Sequence, residues 1–533
     1  MRRFSSYGPI NKDIHYYAPR KELIAGTLNQ LVGENSSEGG HYITVWAPRQ
    51  TGKTWVMQEI LFQLKKDSLF DVVVVNLENL KNENDVEVII EAISEEIGEK
   101  LNKHFNGITT PLRFQKIFKR DALDKPLILI LDEFDALSEK AINTLVTSFR
   151  SIYNNRRYES DKTTEQKTYL LHAVALIGVR SVLGIENEKG SPFNVQRSVH
   201  IPNLTFAEVK GMFEWYEQES GQSIEPAVVE NLYQETAGQP GLTCWLGELL
   251  TEGFEDYHVD KSKPITMRDY EIAYAAATYA LPNNTILNII SKANEEPNKT
   301  FVLDMFQTNK KLEFKFDDKI INSLYMNGIA DKEVVDQTHY YIKFSSPFVQ
   351  KRLFNYFSYE MFRQMGTLVE PFTNLDEVIT DRDLNIKNLL GLYQEYLVKN
   401  KDWLFKETPR RSDLKIFEAV YHFNLFSYMN EFLRDKGGFV IPEFPTGNGK
   451  IDLLIKYKGK LYGIELKSYK DQPGFKIALK QAALYGKQLQ LTEVFLSVFV
   501  PYIDEKSRAK YEVDYLDEDL GVNVKPIFIV TGN

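Results

Sequence analysis

Short apolar runs alternate with amphipathic stretches through the first third of the chain, and this alternation restricts the fold more than any other feature. Apolar runs that alternate with helical stretches are typical of a parallel sheet with helices on its faces. The predicted elements are, in order, strand 41–47, helix 54–65, strand 71–77, helix 86–101, strand 127–131, helix 140–153 with Ser138 as its N-cap, and strand 171–179. The sequence therefore predicts an α/β domain at the N-terminal end.

A phosphate-binding loop joins the first predicted strand to the first predicted helix. The pattern matches except that alanine replaces the first glycine, and its residues are Ala47, Pro48, Arg49, Gln50, Thr51, Gly52, Lys53 and Thr54. In such a loop, backbone N–H groups surround the phosphates of ATP, the lysine reaches the β- and γ-phosphates, and the threonine hydroxyl binds Mg²⁺. A bare Gly-Lys-Thr is a weak signal, but the strand before it and the helix after it strengthen it.

Further residues of a nucleotide site follow along the chain. Asp132 and Glu133 end the apolar run 127–131, where Asp132 can hold Mg²⁺ through water and Glu133 can orient or deprotonate the attacking water. Arg180 ends the next strand and is predicted to sense the γ-phosphate, with a surface arginine as the alternative. Pro240 lies in a Gly-Gln-Pro-Gly stretch that forms either a bend near the nucleotide base or a plain helix break.

Two acids on either side of a turn are the sharpest signal in the last third of the chain. A hairpin that turns at Lys458 and Gly459 pairs positions whose numbers sum to 917, so Asp452 lies opposite Glu465. Opposed residues have Cβ atoms about 4.5–5.5 Å apart, where two carboxylates repel unless a divalent cation lies between them. Lys467 falls on the face of Glu465 and can position water or stabilise a transition state. The alternative is an exposed hairpin with alternating charges.

Residues 1–260 resemble the AAA-like branch of the STAND ATPases, relatives of the origin-recognition ATPases. The resemblance is carried by residues 16–20, 47–54, 132–135, 191–195 and 238–240. It implies that Tyr17 and Arg20 flank the adenine, that Pro240 belongs to a helical lid, and that a winged helix follows. It also implies a nucleotide switch coupled to an effector.

From residue 413 to the C-terminus the chain resembles the PD-(D/E)XK nuclease core, on the spacing of Asp452, Glu465 and Lys467. Isoleucine stands where the family usually has proline before the first aspartate. The resemblance implies that Glu418 adds a metal ligand from a helix and that Gln481 lines the site. The expected metal at this site is Mg²⁺, with Mn²⁺ as a second candidate.

Composition sets the remaining expectations. One cysteine among 533 residues excludes a disulfide framework and a cysteine-based zinc site, and no apolar run is long enough to span a membrane, so a cytoplasmic location is expected. The net charge is −10, but residues 401–500 contain 16 Lys and Arg against 11 Asp and Glu. That excess permits a nucleic-acid-facing patch and is equally consistent with a solvated surface.

We predict five segments: an ATPase core at 1–204, a helical lid at 205–262, a winged-helix-like module at 263–358, a helical connector at 359–407 and a nuclease-like α/β domain at 408–533. The expected function is an ATP-controlled switch that governs cleavage of nucleic acid, DNA in preference to RNA, in defence against phage or mobile DNA. A protein or phage trigger and assembly of copies on nucleotide binding are expected partners. The open alternative is a DNA-binding, signalling or scaffold ATPase whose nuclease fold is silent.

Overall fold

The computed structural model describes the chain except for residues 9, 36–37, 49, 179–195, 307–311, 364–374, 407, 412–415, 446–449 and 533. These described residues group into two compact units. The first unit consists of Met1–Ile289 with Phe314–Tyr340, and the second of Ile290–Glu313 with Tyr341–Asn533. The segment predicted as a winged-helix-like module contributes to both units, and the five predicted boundaries stay predictions.

The first unit is built on a sheet of five parallel strands in the order β2-β3-β4-β1-β5. Its elements in chain order are α1 (Lys21–Val32), β1 (Tyr42–Trp46), α2 (Lys53–Leu64), β2 (Asp71–Asn76), α3 (Val86–Leu101), α4 (Pro111–Lys116), β3 (Leu127–Asp132), α5 (Glu139–Tyr158), β4 (Leu171–Gly178), β5 (Gln196–His200), α6 (Phe206–Ser220), α7 (Pro226–Thr236), α8 (Pro240–Glu252) and α9 (Met267–Tyr279). The predicted parallel α/β sheet is confirmed. Strand β5 and helix α1 are additional elements.

Both faces of the five-stranded sheet are covered, which explains why its strands are apolar throughout. On one face, residues such as Leu129 and Leu131 pack with helices α3, α4 and α5. On the other face, Ile128 and Ile130 pack with helices α1 and α2. Strand β3 therefore buries both sets of its side chains, as the run 127–131 indicated.

Local capping fixes several helix ends in the first unit. Ser138 is the N-cap of α5, as predicted, and its side chain accepts a hydrogen bond from the Ala141 N–H. Thr205 and Glu208 form a reciprocal capping box at the start of α6. Such caps satisfy backbone N–H groups that a helix leaves unpaired, so they fix where each helix begins.

The next elements are α10 (Asn284–Asn294), α11 (Asn298–Met305), α12 (Lys319–Met326), β6 (Ala330–Val334), β7 (Tyr340–Phe344), α13 (Pro347–Phe362) and α14 (Ile386–Leu404). They include a helix, a two-stranded ribbon and a helix within the segment predicted as a winged-helix-like module. No helix in the described part of the chain is long and apolar enough to cross a membrane.

The second unit contains a sheet of six strands in the order β12-β13-β11-β10-β9-β8. Its C-terminal elements are α15 (Glu418–Leu433), β8 (Gly438–Pro445), β9 (Lys450–Tyr457), β10 (Lys460–Ser468), α16 (Gln472–Gln488), β11 (Glu493–Val500), α17 (Glu505–Tyr511), β12 (Tyr515–Asp517) and β13 (Val522–Val530). Strands β10, β11 and β13 run parallel, whereas β8, β9 and β10 form an antiparallel meander. Strand β8 was missing from the prediction.

The β9–β10 hairpin has the predicted register. Lys458 and Gly459 form its turn with φ values of 48° and 82°, as a two-residue turn between antiparallel strands requires. The paired positions run from Lys460 opposite Tyr457 to Ile464 opposite Leu453, and both pairs sum to 917. The same register, continued by one position, places Asp452 beside Glu465.

Candidate functional site

The phosphate-binding loop lies between β1 and α2, where the sequence predicted it. Lys53 Nζ donates to the carbonyl oxygens of Ala47 and Pro48, each at 2.9 Å. Gln50 and Gly52 have φ values of 55° and 89°. Left-handed residues within a loop can turn successive N–H groups toward one point and so form a nest for an anion. The lysine ammonium thus sits over the loop carbonyls, within the same loop that would receive a phosphate.

The acidic pair lies at the end of β3, a neighbour of β4 in the sheet. Burial raises the pKa of the Asp132 carboxyl, while the Glu133 N–H and the Lys53 charge act in the opposite direction. Glu133 has a φ of 53°, which is unusual for a residue with a side chain. Strained backbone of this kind is frequent at functional sites. The Lys53 charge therefore acts on the Asp132 carboxyl, while the roles of both residues in binding phosphate and Mg²⁺ stay predictions.

Tyr17 lies between two tryptophans. Its ring centroid is 4.8 Å from that of Trp55 in α2 and 5.4 Å from that of Trp215 in α6. Trp55 follows the loop threonine directly, so Tyr17 connects the start of α2 with the first helix of the predicted lid. The resemblance implied a role for Tyr17 beside the adenine, but it did not predict its contacts with the two tryptophans.

Arg20 is buried at the start of α1 and contacts both the loop and the segment before α6. Its guanidinium donates to the Pro202 carbonyl at 2.7 Å and to the Thr51 carbonyl at 3.5 Å. Its Nε lies 3.8 Å from a carboxylate oxygen of Glu208. Because these contacts occupy the guanidinium, Arg20 positions the loop in this structure.

The backbone of Gln50 also holds the predicted lid. Its carbonyl oxygen accepts from the Gly241 N–H at 3.1 Å and from the Gln239 side chain at 3.3 Å. Its side-chain oxygen accepts from the Thr285 hydroxyl. Pro240 occupies the first position of α8, where its missing N–H costs nothing. Thr285 was absent from the sequence prediction, because a contact across 235 positions leaves no pattern in the sequence.

Of the other residues predicted for this site, two are described by the structure and two are not. Thr54 is exposed in the first turn of α2, and Ala47 is fully buried. Arg49 and Arg180 lie outside the described residues. The sensing role of Arg180 therefore stays a prediction.

In the second unit, Asp452 and Glu465 come together as predicted. The Leu466 N–H donates to Asp452 Oδ2 at 2.6 Å, across the hairpin. Lys467 Nζ lies 2.6 Å from Glu465 Oε1. Asp452, Glu465 and Lys467 are 1%, 0% and 4% exposed, which argues against the alternative of an exposed charged hairpin.

Helix α15 brings Glu418 to the same place. Glu418 is the first residue of the helix and accepts a hydrogen bond from the Ser468 N–H at 3.1 Å. His422 follows one turn later, with Nδ1 3.9 Å from Asp452 Oδ1 and Nε2 4.0 Å from Glu418 Oε1. We call Glu418, His422, Asp452, Glu465 and Lys467 the acid cluster.

His422 was missed in the sequence. Its spacing of four residues from Glu418 places both side chains on one helical face, and this was the available signal. It was not decisive, because any two residues four positions apart on a helix share a face.

The charges of the acid cluster are unbalanced. Burial raises the pKa of Glu465, and the Asp452 charge raises it further, while Lys467 opposes both. Burial alone would lower the pKa of Lys467, but the charges of Glu465, Asp452 and Glu418 hold it above its usual value. Three buried carboxyl groups thus share one ammonium.

Several buried atoms of the acid cluster find no hydrogen-bond partner among the residues that the structure describes. They are Glu418 Oε1, His422 Nε2, Asp452 Oδ1 and Glu465 Oε2, whereas Glu465 Oε1 pairs with Lys467 Nζ. Buried polar atoms in native proteins are normally paired. Carboxylate oxygens and an imidazole nitrogen are donor types that divalent cations take. The residues present therefore fit a cation in type and in unmet bonding.

The fit is incomplete in two respects. Among the described residues, no three His, Cys, Asp or Glu side chains already stand in a group that could hold a metal ion, so an ion would require side-chain adjustment. Gln481 lies partly buried on α16 and forms no hydrogen bond with the cluster, as far as the described residues go. Its supporting role stays a prediction.

Comparison with known proteins finds similarity in the N-terminal part of the chain. Residues 6–252 match the model of the AAA-like domain family. No curated protein is similar enough in sequence to match. A Walker-type ATPase of Pyrococcus abyssi is similar over 66% of this chain and 99% of its own, with 12% identity and a TM-score of 0.42. The Aeropyrum pernix ORC2 protein is similar over 65% and 96%, with 15% identity and a TM-score of 0.37.

Proposed function

We propose that this chain, whose residues 6–252 match the model of the AAA-like domain family, is an ATP-controlled nuclease that requires a divalent metal. The ATPase half rests on the family match and on the loop between β1 and α2. The nuclease half rests on one observation, the buried acid cluster with three carboxyl groups, one ammonium and unpaired oxygens. A strand with a purely structural role gains no stability from three buried carboxyl groups around one ammonium.

At the ATP site, each residue has a defined task. Lys53 leaves the carbonyls of Ala47 and Pro48 and neutralises the β- and γ-phosphates, while N–H groups of the loop surround them. The Thr54 hydroxyl and Asp132 would hold Mg²⁺, and Glu133 orients the attacking water. Tyr17 flanks the adenine.

At the acid cluster, Glu418, Asp452 and Glu465 would hold one or two divalent cations. A cation held there would lower the pKa of coordinated water and would polarise a phosphoryl oxygen. Lys467 stabilises the negative charge that develops on the phosphate during cleavage. The Leu466 N–H donates to Asp452 Oδ2 and so holds this carboxylate in one orientation. We propose Gln481 as a supporting residue on α16.

The resemblance to STAND ATPases suggests that nucleotide acts as a switch for the nuclease. Moving a two-state equilibrium from about 1% to about 99% active requires a bias of about 5.5 kcal/mol. Contacts of Lys53 and Arg180 with the γ-phosphate would supply part of it. We propose DNA as the substrate, defence against phage or mobile DNA as the setting, and a protein or phage trigger. Assembly of copies on ATP binding belongs to the same proposal.

A plasmid-cleavage assay with MgCl₂, with and without ATP, tests this function. Wild-type protein should convert supercoiled plasmid to nicked or linear forms, and Asp452→Asn and Lys467→Ala should lose most of that activity. Lys53→Ala should retain an intact acid cluster but lose the response to ATP. Equal behaviour of wild type, Asp452→Asn and Lys467→Ala would refute the nuclease.

One observation favours the alternative, a DNA-binding, signalling or scaffold ATPase with a silent nuclease fold. Lys467 pairs directly with Glu465 and so occupies a carboxylate that a metal would need. In that case all three proteins fail to cleave, and the mass of the assembly changes with ATP in wild type but not in Lys53→Ala.

A further inference from the structure

His422 is the one member of the acid cluster that has no assigned role in the proposed nuclease. It is 1% exposed and lies on α15 one turn after Glu418. Its two nitrogens face two different acids, at 3.9 Å from Asp452 Oδ1 and 4.0 Å from Glu418 Oε1. Both separations exceed the roughly 3.2 Å limit of an ordinary N–H···O hydrogen bond.

A second buried histidine, His172, has the hydrogen bonds that are expected of a histidine with a structural role. His172, in β4, is also fully buried, but its Nδ1 lies 3.0 Å from the Thr164 hydroxyl and its Nε2 lies 2.9 Å from the Val32 carbonyl. Within the described part of the chain, His422 Nε2 has no such partner, and neither has the Glu418 oxygen that it faces. Two hydrogen bonds therefore account for the burial of the His172 imidazole. The burial of the His422 imidazole has no such explanation among the described contacts.

A cation accounts for the unpaired atoms on both sides. Divalent ions bind imidazole nitrogen and carboxylate oxygen at about 2.0–2.2 Å, so one ion can join donors about 4 Å apart. We infer that His422 is a ligand of the metal at the acid cluster through Nε2, together with Glu418, and that it makes the site favour Mn²⁺ over Mg²⁺. This inference rests on the proposed metal site of the nuclease.

The preference follows from the chemistry of the donor. Mg²⁺ binds oxygen ligands and loses its water reluctantly, whereas imidazole suits first-row transition ions. An acid cluster without His422 offers oxygen donors only, beside the Lys467 ammonium. The imidazole is therefore the group that can make the site bind Mn²⁺ more tightly than Mg²⁺.

Metal binding to the full chain without nucleotide tests this inference, with MnCl₂ and MgCl₂ titrated separately by calorimetry. Wild type should bind Mn²⁺ more tightly than Mg²⁺, and His422→Gln should reduce that preference by at least about tenfold, because an amide replaces the imidazole nitrogen. His172→Gln is the matched control and should leave the preference unchanged. His422→Asn is the second variant if His422→Gln does not fold, and thermal unfolding in chelator checks both.

Asp452→Asn separates the two claims. If Asp452→Asn removes Mn²⁺ binding while His422→Gln keeps the wild-type preference, the ligand role of His422 is refuted and the metal site stands. If wild type and Asp452→Asn bind Mn²⁺ equally, the acid cluster holds no metal, and both the inference and the proposed nuclease are refuted.

Discussion

Lys467 and Glu465 form a fully buried ion pair, with Nζ 2.6 Å from Oε1. Asp452 and Glu418 lie close enough to act on the same ammonium. A buried pair is weak evidence of stability, because desolvation offsets most of the attraction. Among the described residues of the acid cluster, Lys467 supplies the ammonium that offsets these acids.

Removing the Lys467 ammonium should therefore destabilise the fold strongly. Lys467→Met is expected to lower the free energy of unfolding by about 3–5 kcal/mol, because the buried carboxylates lose the ammonium that pairs with Glu465. Urea unfolding measures it. Lys525→Met is the control, since it breaks a half-exposed pair with Glu493 in the same sheet and should cost less than about 1 kcal/mol. Equal losses for the two variants would contradict this account of the pair.

His172 should make the first unit sensitive to acid. Burial lowers the pKa of His172 from 6.5 to about 4, so below pH 6.5 the unfolded chain takes up a proton that the folded chain refuses. Stability is then complete above about pH 6.5 and falls by up to about 3 kcal/mol as the pH drops to about 4. Urea unfolding at pH 7.5 and pH 5 measures the loss, and His172→Gln should show a smaller one. A pH response unchanged in His172→Gln would assign the sensitivity to other groups.

Gly238 is required where the chain turns into α8. Its φ is +67°, and a Cβ there would lie 2.0 Å from the Leu204 carbonyl oxygen. Gly221 is a matched control with φ +72° and no atom within 4 Å of its Cβ position. Gly221→Ala should cost about 1–2 kcal/mol from backbone strain alone. Gly238→Ala should cost at least about 1 kcal/mol more, as measured by thermal unfolding, and similar losses would show that the contact with Leu204 relaxes freely.

Local patterns were enough to predict much of the fold. Helix α3 has the predicted bounds of Val86 to Leu101, because its apolar residues recur with a helical period and Asp85 caps it. The register at Lys458 and Gly459 followed from turn length, since strand pairing is fixed once the turn is placed. Strand β8 escaped prediction because it ends in Pro-Glu-Phe-Pro, and proline is typical of edges and loops rather than strands.

The site was predictable where its residues are close in sequence or share one hairpin. Asp452, Glu465 and Lys467 share such a hairpin, so their proximity needed only the register. His422 and Thr285 belong to helices that reach their sites through tertiary packing, and no spacing rule fixes how a helix sits on a sheet. Glu418 was found through the resemblance rather than through spacing.

Lys53 should dominate nucleotide binding. Lys53→Ala is expected to weaken ATP binding about 10- to 150-fold, since hydrogen bonds to charged groups contribute about 1.5–3 kcal/mol. A fluorescent ATP analogue measures it in the full chain. Lys65→Ala, which removes an exposed lysine at the other end of α2, should leave binding unchanged. Equal affinities of Lys53→Ala and wild type would exclude the loop as the ATP site.

The most direct test of the account is an anomalous difference map from crystals of the full chain soaked in MnCl₂. The account predicts a peak about 2 Å from carboxylate oxygens of Asp452 and Glu465, with Lys467 released from its present contact. A map without a peak at the acid cluster, with Lys467 still bound to Glu465, would contradict it.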